Sequence, residues 1–510
     1  MELNGNFRAL HAGLPEDVRR MKEHGDFEGA LAAIERRLAC GNTPAALRYA
    51  LTAQAEMIRR LPGNFPYGRG EALDLVRAHI ADFSADEFDE MVRGGRVEWI
   101  YVNGEPRYFG RFFETLCKVD ARFAARAGVA PAGTEPPDEN GESRLDRAAR
   151  LMREKGSMAV RFRCRASLRI KDELFRPGMK VGAALPLPCA CPSQSGVAID
   201  LVSPRASLLA PEDAPQRVVV WNETMEWNHD FSVEFSFTRR QNFADLSRAP
   251  RRPCGETPRL DDTAELPPHV LFSPFMKSLA REIAGSAETA LEKARRFYDF
   301  ITLNVKYRFM PDYFCLEDIA ANCARSLTGD CGVQALLLIA LCRVSGIPAR
   351  WESGWVTRPN FCSGHDWMMF YAPPFGWLYA DPSFGGGAVR DGNEARRRFY
   401  FGHLDPWRMA ANTAFQANFP VPWEGWRCDP YDNQSGEMIC DRRGLRWYEF
   451  TGAKEVLSCE EVERGCFSAA GQRPKRRFFS AIVADLCPSE GVLFDVFLDQ
   501  VYSVNEVHAV

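Results

Sequence analysis

The feature that most constrains the fold is an apolar run over residues 332–344 that leaves no polar face. A helix that is apolar on every side has to be covered on every side, so this run predicts a buried helix. Thr328 or Asp330 can cap its amino end, and Gly346 supplies a left-handed cap where the helix stops. Cys331 is therefore predicted at, or next to, the first position of a buried helix.

Cys331 lies where a thiol nucleophile would be useful. The unsatisfied N–H groups at a helix start favour a thiolate and can stabilise an oxyanion. Asp330 opposes this effect, so the helix start alone does not activate the thiol and a base is needed. A structural cysteine is the alternative, because the chain has sixteen cysteines. The Gly-Asp pair before the thiol, and the histidine and aspartate after it, favour a nucleophile.

The base and its orienting acid are predicted on two strands that follow the helix. One strand-like run opens with His365, and the returning run closes with Asp381. If the turn lies at Pro373 and Pro374, residue 381 faces residue 366, and a small register shift brings its carboxylate to His365. A carboxylate there fixes the tautomer of the imidazole. The pattern predicts a catalytic set of Cys331, His365 and Asp381.

Length and composition indicate a globular protein with several domains. A chain of 510 residues, 46% hydrophobic and 26% charged, is too long for one core. The net charge of -4 gives no footprint for a polyanion, so nucleic acid is not expected as a partner. The sequence shows neither a secretory signal nor the roughly 18 apolar residues of a membrane span. We therefore expect a cytoplasmic protein without a membrane partner.

Periodicity and composition divide the chain into six segments, which predict a multidomain α+β fold. Helical spacing dominates the start, Pro, Gly and acids mark two linkers, and apolar residues alternate with arginines over 160–170. The predicted segments are a mainly helical domain at 1–127, a linker and connecting helix at 128–156, a β-sandwich-like domain at 157–247, a linker at 248–264, a catalytic core at 265–407, and a mixed C-terminal region at 408–510.

Three ordered motifs carry a family resemblance. GDC before the apolar helix and RVSGIPAR, then GHDW, then GWLYADPSF resemble the core of the transglutaminase-like superfamily of papain-like thiol enzymes. The match covers roughly residues 285–385 and resembles multidomain microbial members. The resemblance implies Cys331 as nucleophile, His365 as base and Asp381 as orienter. It also implies a core in which the nucleophile helix packs on an antiparallel sheet.

Two features depart from the animal transglutaminases of that superfamily. Those enzymes place a tryptophan upstream of the cysteine as a second oxyanion donor, whereas no tryptophan lies between Leu279 and Asp330 here. Tyr307 or another polar group is the substitute to consider. The acidic segment at 429–437 lacks the spacing of a calcium-binding loop, so we interpret it as a structural turn that borders the cleft.

The implied chemistry is acyl transfer through a thioester, with a protein or peptide substrate and no cofactor. Hydrolysis by a cysteine peptidase or amidase is the preferred interpretation, by analogy. The alternatives are transamidation of protein glutamine to an amine and a catalytically silent scaffold. A metal site at Cys362 and His365, or at Cys189 and Cys191, is disfavoured because each pair lacks the other ligands that zinc needs.

Overall fold

The computed structural model describes residues 7–129, 141–248, 250 and 256–462. Its α-helices are α1 (Glu16–Glu23), α2 (Phe27–Ala39), α3 (Ala45–Asn64), α4 (Arg69–Arg77), α5 (Ala85–Arg93), α6 (Phe112–Val119), α7 (Ala121–Arg126), α8 (Arg144–Lys155), α9 (Pro274–Ala284), α10 (Ala290–Asn304), α11 (Ile319–Ser326), α12 (Cys331–Val344), α13 (Pro382–Arg390) and α14 (Glu394–Phe399). None of these helices is long and apolar enough to cross a bilayer.

The strands alternate with these helices along the chain. They are β1 (Trp99–Val102), β2 (Glu105–Tyr108), β3 (Ser157–Ile170), β4 (Met179–Pro186), β5 (Gln194–Ser203), β6 (Leu208–Leu209), β7 (Val218–Met225), β8 (Phe231–Asn242), β9 (Lys306–Tyr307), β10 (Thr328–Gly329), β11 (Ala349–Arg358), β12 (Phe361–Ala372), β13 (Gly376–Ala380), β14 (Phe401–Gly402), β15 (Arg408–Asn412), β16 (Glu437–Cys440), β17 (Arg443–Gly444) and β18 (Phe450–Glu461).

Helix α12 lies at the centre of the core, as its apolar sequence requires. Helices α9, α10, α11 and α13 pack around it, and strands β11 and β12 cover another side. These strands belong to a five-stranded antiparallel sheet with the order β14-β13-β12-β11-β15. Gly346 has a φ of 75°, the left-handed conformation predicted for the helix stop. The predicted fold class, an α+β protein with a helix on an antiparallel sheet, is confirmed.

Two further sheets each combine strands that precede the core in the sequence with strands that follow it. Their orders are β18-β3-β8-β5 and β17-β16-β4-β7-β6. The rings of Trp221 and Phe231 meet between them with centroids 5.5 Å apart. Strands β16, β17 and β18 come from the segment predicted as a separate C-terminal region, which is a correction to the boundary at 408. The reason is long-range pairing: β18 binds the edge of β3, and no local pattern reveals such a partner.

The N-terminal helices are joined to the core rather than appended to it. The guanidinium of Arg60 on α3 donates to the carbonyls of Arg427 and Cys428, each at 2.8 Å. Asn64 at the end of the same helix accepts the N–H of Asp312 at 2.9 Å. Residues up to Val462 accordingly group into one unit. Predictions that fall on 130–140 and 463–510 lie outside the described residues.

Candidate active site

Cys331 is the first residue of α12, as predicted. Asp330 is the cap residue, and its Oδ1 accepts the N–H of Val333 at 3.2 Å. In the part of the chain that the structure describes, the N–H groups of Cys331 and Gly332 have no hydrogen-bond partner. Two donors therefore remain beside the thiol, where an oxyanion would form.

Gly332 allows two polar side chains to approach the helix start closely. A carbon added at this position would lie 2.8 Å from Oδ2 of Asp366 and would also collide with the hydroxyl of Tyr313. That hydroxyl donates to Asp330 at 2.5 Å. The glycine after the cysteine therefore makes room for an acid and a phenol against the first turn.

His365 and Asp381 are in contact, as predicted. The distance between His365 Nε2 and Asp381 Oδ2 is 2.8 Å, and both residues are buried. The predicted register is off by one: Met368 pairs with Ala380, so residue 381 continues opposite 367 rather than 366. Asp381 also begins α13, where its Oδ1 accepts the N–H of Phe384 at 2.8 Å. One carboxylate thus caps a helix and orients an imidazole.

Arg408 on β15 forms a buried ion pair with Asp381. Its Nη1 lies 2.6 Å from Asp381 Oδ2, and its Nη2 lies 2.8 Å from Asp405 Oδ2, with all three side chains buried. Burial alone would raise the pKa of Asp381, but His365 and Arg408 lower it to about 2. The carboxylate is therefore ionised throughout the physiological range.

The imidazole of His365 is neutral at neutral pH. Burial lowers its pKa below the usual value, against the opposing effect of Asp381. Because a carboxylate only accepts hydrogen bonds, Nε2 carries the ring proton, and Nδ1 keeps a free lone pair. This is the tautomer that a general base for a thiol requires.

The thiol of Cys331 contacts an acid, Asp366, instead of the predicted base His365. Its Sγ lies 3.2 Å from Oδ2 of Asp366, and within the described ranges no hydrogen bond joins it to His365. Successive side chains of a strand point to opposite faces, so Asp366 rather than its neighbour faces the thiol. The structure brings together His365 and Asp381, but it leaves Cys331 paired elsewhere.

The electrostatics of this contact keep the thiol protonated. Burial, Asp366 and Asp330 all raise the pKa of Cys331 well above its usual value. The expectation that the helix start favours a thiolate is therefore corrected for this resting state. Desolvation and two nearby acids outweigh the partial charge of the helix end.

Asp366 belongs to a buried cluster of acids. The sequence predicted only that the segment 429–437 borders the cleft. Its Oδ1 accepts from Gln434 Nε2, which also donates to Asp432 Oδ2. Asp432 Oδ1 in turn accepts from the hydroxyl of Ser353 at 2.6 Å. Burial and the charges of Asp432 and Asp330 raise the pKa of Asp366 well above its usual range. The segment 429–437 does border the site, as interpreted from its composition.

Tyr307 lies close to the start of the nucleophile helix. Strand β9 pairs in parallel with β10 so that Tyr307 lies beside Gly329, two residues before Cys331. Burial, with the added effect of Cys331 and Asp330, raises the pKa of the Tyr307 phenol well above its usual value. The hydroxyl therefore stays protonated, as an oxyanion donor must.

Several residues of the site escaped the sequence reasoning. Asp366 stands inside the quoted GHDW motif, so its position could have drawn attention. Arg408, Gln434 and Lys118 carry no local signal, because each reaches the site through a long-range contact. Lys118 is described below with its neighbours.

The described ranges contain no arrangement of side chains that could bind a metal ion. No group of three or more His, Cys, Asp or Glu side chains is placed to hold an ion there. Burial raises the pKa of Cys362 to about 12, so this thiol stays protonated. Nε2 of its predicted partner, His365, bonds to Asp381 instead.

The comparison with family models agrees with the motifs. Residues 277–382 match the family model of the transglutaminase-like superfamily. A candidate cysteine protease from Cytophaga hutchinsonii aligns with a TM-score of 0.40 and 14% identity, covering 60% of this chain and 91% of that one. The periplasmic domain of TgpA from Pseudomonas aeruginosa aligns with a TM-score of 0.24 and 14% identity, covering 49% and 95%. A search of curated proteins found no match.

Proposed function

Residues 277–382 form a transglutaminase-like core, and we propose that the protein is a thiol enzyme that forms a thioester on Cys331 from an amide or peptide bond. The observation that carries the proposal is the buried hydrogen bond of 2.8 Å between His365 Nε2 and Asp381 Oδ2, on the strand that packs against the nucleophile helix. A histidine that acts as a base needs a free basic nitrogen, whereas a structural histidine does not.

The proposed reaction starts with a turn of the thiol from Asp366 toward His365. Nδ1 takes the proton of Cys331, and the thiolate attacks the amide carbonyl carbon. The carbonyl electron pair moves to oxygen, where the N–H of Cys331 and the hydroxyl of Tyr307 donate to it. The imidazolium then gives its proton to the leaving nitrogen, the C–N bond breaks, and a thioester remains.

The acceptor that resolves the thioester decides the reaction class. Water gives hydrolysis and an amine gives transamidation. We propose hydrolysis, as in a cysteine peptidase or amidase acting on a protein or peptide in the cytoplasm. Transamidation uses the same residues up to the thioester, so only the second half-reaction separates the two.

A catalytically silent scaffold is the second candidate, and one observation favours it. The thiol pairs with Asp366, and its pKa is raised by burial and by that acid. If this contact persists with substrate bound, the histidine has no proton to remove. The two candidates therefore differ in whether His365 controls the reactivity of Cys331.

Alkylation followed by mass spectrometry tests the proposal. Iodoacetamide should label Cys331 faster in the parent than in His365→Ala, because only the parent can transfer the thiol proton to Nδ1 when the thiol turns to the imidazole. Incubation with a glutamine-peptide library and an amine probe should then show an acyl-enzyme, a hydrolysed product or amine incorporation. Cys331→Ala is the control: it should melt near the parent temperature without any turnover. Labelling that ignores the histidine change would support the scaffold instead.

A further inference from the structure

Helix α6 of the N-terminal region places a cation at the candidate site. The ammonium of Lys118 lies 4.0 Å from the ring centroid of Tyr307 and 5.0 Å from that of Phe309. While burial and acids raise the pKa of Cys331, Lys118 opposes them. Because Tyr307 pairs beside Gly329, two residues before Cys331, the helical region contributes to the surroundings of the nucleophile helix.

A second cation, Arg390, lies near the same ring. Arg390 ends α13, the helix that Asp381 begins, and its guanidinium lies 5.9 Å from the Tyr307 centroid. Among the residues that the structure describes, neither Lys118 nor Arg390 forms an ion pair or a side-chain hydrogen bond with an acid, although both are exposed. Cation–π contact positions both charges without neutralising them.

A third cation, Arg111, lies at the start of α6. The guanidinium of Arg111 lies 3.6 Å from the centroid of Phe309, and it lines a cavity of about 440 Å³. Tyr313, which bonds to Asp330 before the nucleophile, lines the same cavity. Arg111 pairs with Glu114 at 2.6 Å, but both side chains are about half exposed, so this pair is weak. A chain of positive groups thus leads from the thiol to an open cavity.

The acids beside the thiol bond to other groups rather than to these cations. Asp330 accepts from Tyr313 and Val333, and Asp366 accepts from Cys331 and Gln434. An anion that contacted both Lys118 and Arg390 would gain charge-assisted hydrogen bonds to two donors that lie near one aromatic ring. On a peptide substrate, the group with this charge is a carboxylate.

We propose that Lys118 and Arg390 bind a carboxylate of the substrate next to the amide that Cys331 attacks, so that the enzyme prefers acidic peptides. The inference deepens the proposed function and rests on it. It assigns the helical region a role in substrate selection, and Arg111 extends the same preference toward the cavity. A phosphate would offer related chemistry, but a carboxylate is the anion that every acidic peptide carries.

Peptide binding tests the inference without requiring turnover. The full chain with Cys331→Ala is titrated by fluorescence anisotropy with labelled glutamine peptides that carry Glu or Gln at the neighbouring positions. The Glu peptide should bind about tenfold more tightly, the effect of one net charge-assisted hydrogen bond. Adding Lys118→Gln should remove most of this preference, while Lys118→Arg should retain it. Lys277→Gln, a change at an exposed lysine on α9, is the matched control.

The outcomes separate the inference from the proposed function. Equal affinity for Glu and Gln peptides, or a preference that survives both Lys118→Gln and Arg390→Gln, overturns the inference. Tighter binding of a phosphoserine peptide than of the Glu peptide overturns the carboxylate assignment. A preference for the Glu peptide that depends on Lys118, in a protein whose Cys331 never forms an acyl-enzyme, supports the binding site and rejects the proposed chemistry. Arg390→Gln serves where Lys118→Gln fails to fold.

Discussion

Two buried aspartates flank the candidate chemistry, and their pKa values shift in opposite directions. Asp381 accepts from His365 and Arg408, and its pKa is lowered to about 2. Asp366 receives its hydrogen bonds from the neutral groups of Cys331 and Gln434, and its pKa is raised well above the usual range. Both residues are less than 5% exposed, so burial is common to the two.

The difference shows that the partner, not the depth, decides the direction in which the pKa of a buried carboxyl group shifts. Desolvation raises the pKa in both cases, and only a contact with a cation reverses it. His365 and Arg408 lower the pKa of Asp381 on one side, whereas Asp432 adds a like charge that raises the pKa of Asp366 on the other. One acid can therefore orient a base, while the other accepts a hydrogen bond from the thiol and raises the pKa of that thiol.

The largest expected effect comes from Asp381→Asn. Its amide can still cap Phe384 through oxygen, which leaves the NH2 group facing His365 and favours the tautomer with a proton on Nδ1. That nitrogen can then no longer take the thiol proton, so kcat should fall by roughly three to four orders of magnitude. Steady-state kinetics on a peptide found by the library screen would measure the loss.

Asp405→Asn is the matched control for this change. Asp405 is also buried and also binds Arg408, but it does not touch His365. The two variants should lose similar stability and differ in activity by orders of magnitude. Comparable activity in both would remove Asp381 from its orienting role.

Arg408→Met should produce the largest loss of stability. It leaves the carboxyl groups of Asp381 and Asp405 buried without their cation, which costs about 3–5 kcal/mol for a broken buried ion pair. Urea unfolding at neutral pH measures the change, and Arg408→Lys should lose less because it keeps the charge. A destabilisation below about 1 kcal/mol, the range of an exposed pair, would show that Arg408 does not set the charge of Asp381.

The sequence predicted the parts of the site that local patterns encode. The apolar run and Asp330 placed Cys331 at a helix start, and the strand pair placed Asp381 near His365 with a register error of one residue. The charge states were not predictable in this way. They depend on Arg408 from a later strand and on Asp432 from a loop, and neither residue has a fixed spacing from the motif that it serves.

Asp366→Asn should make Cys331 more reactive. Asp366 is among the groups that raise the pKa of this thiol, so its removal lowers that pKa and increases the thiolate fraction at a given pH. We expect iodoacetamide to label the variant several-fold faster at neutral pH. The pH profile of labelling, read by mass spectrometry of the Cys331 peptide, should move to lower pH.

Asp432→Asn should act in the opposite direction and serves as the control. It removes a like charge that raises the pKa of Asp366, so Asp366 ionises more readily and disfavours the thiolate beside it. Labelling should therefore slow. Faster labelling in both variants would mean that packing, and not the charge of Asp366, limits the reactivity of Cys331.

The smallest expected effect is a difference in how stability depends on pH. The folded-state pKa of Asp381, about 2, is below the unfolded value of 3.8, so its contribution is present above pH 3.8 and is lost as the pH falls toward 2. The pKa of Asp366 is raised, so its contribution is present below pH 3.8 and is lost as the pH rises through the folded value.

Urea unfolding from pH 3 to pH 8 separates these two signs. Relative to the parent, Asp366→Asn should gain stability as the pH rises, because the variant has no proton to give up. Asp381→Asn should lose stability between pH 3 and pH 4 and then keep a constant deficit. If both variants follow the parent in parallel, the two carboxyl groups titrate alike, and the contact with Arg408 does not distinguish them.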